Sequence, residues 1–135
     1  MMNRARRHGS AVVAAGLLVI LAACSSASRP TVAEWQLRWD ALVDGIPTSA
    51  EIGRPPDQSL CTDGLGLVRS SQAGLFPTPD RAIDDAVNEW VSVAEDAFFE
   101  CPPSSSAIPD MDFAYGQLAR LEAEISVVLD IDRSQ

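Results

Sequence analysis

Apolar residues recur along this chain at spacings of three and four rather than in alternation, the period of amphipathic helices and not of strands. Four segments carry the pattern. In the first, Val32, Trp35, Trp39, Leu42 and Ile46 mark one face. Thr31-x-x-Glu34 opens it as a capping box, in which the Thr hydroxyl accepts from the Glu amide and the Glu carboxylate reaches back. Gly45 and Pro47 stop it. Residues 47–58 hold Pro47, Gly53 and Pro55-Pro56, so a loop is expected there.

The second segment begins near Asp57 or Ser59, with Cys61, Leu65, Val68 and Leu75 near one stripe. Gly64 and Gly66 weaken it, each by up to about 1 kcal/mol against Ala. They suggest a neighbouring backbone packed close. Gly74 fits its C-terminal position. Phe76-Pro77-Thr78-Pro79-Asp80 then turns into the third segment, with Thr78 expected as N-cap and Pro79 as first helical residue. There Ile83, Val87, Trp90, Ala94, Ala97 and Cys101 form the clearest stripe in the chain, and Pro102-Pro103 ends it. After a loop with Ser104 to Ser106 and Pro109, the fourth segment places Met111, Ala114, Leu118, Leu121, Ile125 and Val128 on one face.

Four helices with short connections favour antiparallel neighbours. A hairpin turning at 74–79 brings the start of the second helix, with Cys61, toward the end of the third, with Cys101. The expected fold is all-α, a small four-helix bundle in up-down-up-down order.

The amino-terminal segment has a different grammar. Arg4, Arg6 and Arg7 precede an uncharged apolar run from Ala11 to Ala22, and small residues lead to Cys24. This is the three-part layout of a secretory signal. The run is shorter than the roughly 20 residues a spanning helix needs. Leu21-Ala22-Ala23-Cys24 resembles the lipobox of bacterial lipoproteins. That resemblance implies cleavage before Cys24, thioether-linked diacylglycerol on its sulfur, and an address on the extracytoplasmic face of the cell membrane. The expected organisation is a signal peptide over 1–23, a lipidated tether over 24–30 and a helical domain over 31–135. From Cys61 to Pro102 the chain also resembles small actinobacterial envelope lipoproteins, a likeness that brings no activity with it.

With Cys24 assigned to lipid, Cys61 and Cys101 are left as an even pair in an exported chain, which reads as one disulfide. Closing a loop of 40 residues is worth roughly 4 kcal/mol by chain entropy.

Composition removes whole classes of chemistry. Taking 1–23 from 135 residues leaves 112, one domain's worth, with seven Arg against 19 acids, a formal charge of −12. Nucleic-acid binding needs a basic footprint and is not expected. An anionic lipid surface repels such a chain, so attachment to a membrane falls to the lipid. There is no Lys, and the one His, His8, lies in the leader. The mature chain therefore has no imidazole for a nucleophile or a metal and no amine for a Schiff base. No catalytic residue, metal set or cofactor is expected. Carboxylate pairs remain open to it, and a minimal carboxylate hydrolase ranks last among the candidate functions.

Trp35, Trp39 and Trp90 lie on the stripes and read as core rather than as an aromatic ligand pocket. Asp84, Asp85, Glu89, Glu95, Asp96 and Glu100 read as a solvated face. Glu122, at the edge of the fourth stripe, is expected to pair with an Arg of a neighbouring helix. Phe99, Phe113, Val127 and Ile131 lie off the stripes. Loop cover is expected for Phe99 and Phe113; Val127 and Ile131 have none in view. Phe99, Val127 and Ile131 are the candidate interface residues. The function expected is a non-enzymatic adaptor for another envelope protein. The alternative is a carrier or sensor of a small apolar ligand held between the helices near the tryptophans.

Overall fold

The computed structural model describes residues 28–101 and 111–134, with only the backbone described at 131–133. The leader, Cys24 and the connection at 102–110 lie outside the described residues. Helices run over Val32–Val43 (α1), Ser49–Ile52 (α2), Gln58–Leu75 (α3), Asp84–Phe99 (α4) and Met111–Arg133 (α5), with a 3₁₀ turn at Arg81–Ile83. No strand occurs among the described residues. The four long helices form the expected bundle. α3 packs on α4, α4 on α5, and α1 closes against α3 and α5. The Cys61–Cys101 disulfide joins the start of α3 to the residues after α4, with Cα atoms 6.0 Å apart.

The predicted faces are the buried ones. Trp35, Trp39 and Leu42 of α1 meet Cys61, Val68 and Leu75 of α3, Val87, Trp90 and Ala94 of α4, and Leu118, Leu121 and Ile125 of α5. Phe98 and Leu129 join this core although neither stood on the expected stripe. Trp35 stacks on Trp39 at 5.3 Å, and Trp39 meets Trp90 edge-on at 5.0 Å. Burying an indole requires a partner for its N–H. Trp35 Nε1 donates to the Leu75 carbonyl (2.7 Å) and Trp90 Nε1 to Glu122 Oε1 (2.9 Å). Glu122 thus serves an indole of α4 and not the expected arginine.

Caps explain the helix starts. The Thr31–Glu34 box is formed in both directions. Asp57 caps α3 by accepting from the Ser59 and Leu60 amides. The expected loop at 47–58 contains α2, opened by a second capping box, Thr48–Glu51. The entry to α4 also differs. Thr78 does not cap it; Asp80 accepts from Ala82 N and opens the 3₁₀ turn, and α4 follows without a side-chain cap. Gly74 stays inside α3, which ends at Leu75; its carbonyl accepts from Arg38 at 2.9 Å.

The bundle has two distinct ends. One gathers the start of α1, the α3–α4 turn and the last turns of α5, which touches the 3₁₀ turn. The other gathers α2, the disulfide and the first turns of α5. At this second end Arg54 pairs with Asp112, Ser49 donates to Asp112 at 3.0 Å, and the Tyr115 hydroxyl donates to the Pro47 carbonyl.

Candidate interaction surface

The tryptophans pack on one another in the core. Trp35 and Trp90 are fully buried and Trp39 nearly so, each ring packed on the next. Among the described residues, no buried side-chain nitrogen or oxygen lacks a partner.

Open space lies elsewhere, toward the disulfide end. A cleft of about 600 Å³ separates the end of α1, α2 and the first half of α3. Ile46, Leu60 and Leu67 supply its apolar lining, and the exposed acids Asp44, Glu51 and Asp63 also line it. The Glu51 carboxylate is engaged by Thr48, whose amide and hydroxyl hold it below the ordinary carboxylate range. A smaller groove of about 180 Å³ runs between α4 and α5, lined by Val93, Ala97 and Phe113 with Asp96, Glu100 and Gln117. Neither cleft is lined by a tryptophan. Half-burial of Tyr115, with the Glu51 charge adding to it, pushes the phenol up to about 12, so it remains a donor across the physiological range.

The candidate interface residues fall in different places. Phe99 is 67 % exposed at the last turn of α4, beside Phe98, which is buried. Phe113, at the first turns of α5, is 65 % exposed. The connection expected to cover both, 102–110, lies outside the described residues. These two aromatics share the disulfide end of the bundle. Val127 is 60 % exposed but sits 14 residues beyond Phe113, about 21 Å along α5 at the helical rise. It belongs to a different surface. The side chain of Ile131 lies outside the described residues. Leu37, on the outer face of α1 and 74 % exposed, was not among the sequence candidates. Its place opposite Trp35 and Trp39 on the helical wheel was the available signal.

The acidic face of α4 is not uniformly solvated. Glu95 pairs with Arg69 (3.1 Å) and Glu89 with Arg120 (3.1 Å), both exposed contacts of the kind worth about 0–1 kcal/mol. Asp84 is different. Its carboxylate takes Arg29 Nη1 on Oδ1 (3.3 Å) and Nη2 on Oδ2 (3.2 Å), and the Thr78 hydroxyl lies against it. Arg29 first and Thr78 second hold Asp84 below the ordinary carboxylate range.

Among the described residues, no group of three or more His, Cys, Asp or Glu side chains could hold a metal ion. None of the described helices is long and apolar enough to cross a membrane. No family model, curated protein or solved structure matches this chain.

Proposed function

We propose that this chain is an envelope lipoprotein, anchored through Cys24, whose bundle is a non-enzymatic interaction module. The lipobox-like Leu21-Ala22-Ala23-Cys24 supports the anchor. The observation that carries the interaction reading is Phe99, a large ring left two-thirds exposed beside a fully packed core, with Phe113 bare at the same end. Aromatic residues make effective interface anchors because they bury much area at little entropic cost. A chain without Lys, and with no His beyond the leader, lacks the usual nucleophile–base sets. No observation favours a carrier with its ligand among the tryptophans.

Two measurements test the reading in the source bacterium. Labelled fatty acid should enter the wild-type chain and not Cys24→Ala; equal labelling would refute the anchor. A photo-crosslinking residue encoded at position 99 should yield a discrete adduct, whereas one at the exposed Asn88 should not. Identical patterns at both positions, or none at either, would refute the interaction reading.

A further inference from the structure

Arg29 stands between Ser28 and Pro30, in what the sequence marks as a plain tether. It is not plain. Its guanidinium donates through Nη1 to the Thr78 carbonyl (2.9 Å) and hydroxyl (3.1 Å), and it grips Asp84 with both Nη atoms. Thr78 is fully buried, and the Arg29 and Asp84 side chains are 30 % and 34 % exposed. The Thr78 hydroxyl lies 2.7 Å from the Asp80 carbonyl, within the turn that starts α4. The planar fork of Arg suits this two-point grip, and Lys would reproduce only its charge. Pro30 restricts Arg29 to extended backbone, and Thr31 caps α1 directly afterwards. The chain is thus fixed from Arg29 onward.

We infer that Arg29 is a clamp that fastens the tether to the α3–α4 turn and sets how the bundle stands on its membrane. The orientation rests on the proposed anchor at Cys24; the clamp itself does not. With Arg29 held, five residue steps separate it from Cys24, a reach of at most about 18 Å. With Arg29 released, the first fixed residue is Thr31, seven steps away, and the reach grows to about 25 Å. α4 is 16 residues, about 24 Å long. A free tether would let an acidic domain swing out or lie on its side. The clamped tether keeps the α3–α4 turn at the headgroups and directs the other end outward, with Phe99, Phe113, the disulfide and the larger cleft.

The test uses the full chain, purified lipidated and reconstituted in phosphatidylcholine vesicles carrying a rhodamine-labelled headgroup. A fluorescent amino acid is encoded either at Ala82, in the 3₁₀ turn, or at Gln58, at the opposite end; both positions are exposed. Energy transfer should be clearly stronger from position 82 than from 58. Arg29→Ala, and separately Asp84→Asn, should abolish the difference. The exchanged pair Arg29→Asp with Asp84→Arg should restore it. Equal transfer in the wild type, or a difference that survives both single variants, would overturn the orientation. The clamp is read without the lipid by a nitroxide at Ser28→Cys in a Cys24→Ala chain. Its spectrum should be immobilised, and Asp84→Asn should sharpen it. A sharp spectrum before that substitution would overturn the clamp, whereas missing fatty-acid label would count against the anchor alone.

Discussion

Two glycines of α3, one half-turn apart, have opposite environments. A Cβ on Gly64 would lie 2.8–3.0 Å from three atoms of the Phe98 ring, which the core holds in place. A Cβ on Gly66 would meet nothing within 4 Å. Gly64→Ala should therefore destabilise the fold, because overpacking costs about 1–3 kcal/mol against a helix-propensity gain of about 1. Gly66→Ala should stabilise it by about 0.5–1 kcal/mol. Urea unfolding of the two variants checks this, and shifts of the same sign would refute the packing account. The sequence alone gives both glycines the same expectation, a close backbone. The neighbour is a side chain, and it touches only one of them. The Asp84 carboxylate makes a second residue-scale prediction. Its affinity for protons is lowered in the folded state by Arg29 and then Thr78. The stability it contributes is present above the ordinary carboxylate value and is lost as pH falls through the depressed folded value. Wild type and Asp84→Asn should accordingly differ in midpoint at neutral pH and converge in strong acid. A gap that persists undiminished in strong acid would contradict the linkage.

At the scale of elements, the segments legible beforehand were those with a long apolar stripe and a side-chain cap. α1 carried both, Thr31–Glu34 and Trp35–Trp39–Leu42, and its start was read to the residue. α2 is only four residues long and has no stripe to read. Its capping box, Thr48-x-x-Glu51, was nevertheless visible in the sequence, and the prolines around it hid the signal. The entry to α4 departs from its sequence expectation for a related reason. Thr78 and Pro79 fit cap and first-turn preferences, but Thr78 is buried and occupied by Arg29, a tertiary demand that no local rule contains. The role of Asp84 was hidden in the same way, because its partner lies 55 residues away. The disulfide was legible because hairpin geometry and cysteine parity agree. It joins elements whose core contacts exist without it, so reduction should loosen the α2 end first. Replacing Cys61 and Cys101 with Ala should lower stability by about 2–4 kcal/mol. Hydrogen exchange should quicken around α2 and the first turns of α5 before it does at the α3–α4 turn. Uniform quickening would mean that the bundle unfolds as one unit.

At the scale of the whole molecule, charge opposes the proposed anchor. Beyond residue 23 the chain carries seven Arg against 19 acids, and no Lys softens the balance. Among the described residues, five of the Arg groups are already engaged: Arg29, Arg38, Arg54, Arg69 and Arg120 bond to carboxylates or carbonyls of the bundle. Few cations remain for lipid phosphates, whereas most of the acids are solvated. The proposed lipid at Cys24 would therefore hold the chain against repulsion on an anionic surface, and that repulsion is screened by salt. The Debye length falls from about 30 Å at 0.01 M to about 3 Å at 1 M. Partition of the lipidated chain onto anionic vesicles should consequently rise with salt, while partition onto neutral vesicles should change little. Cys24→Ala should stay in solution in every case. A protein held by a basic patch behaves in the opposite way, weakening as salt is added. Sedimentation with vesicles across a salt series separates the two. Binding of Cys24→Ala, or loss of the lipidated chain from anionic vesicles at high salt, would show that protein surface and not lipid makes the attachment.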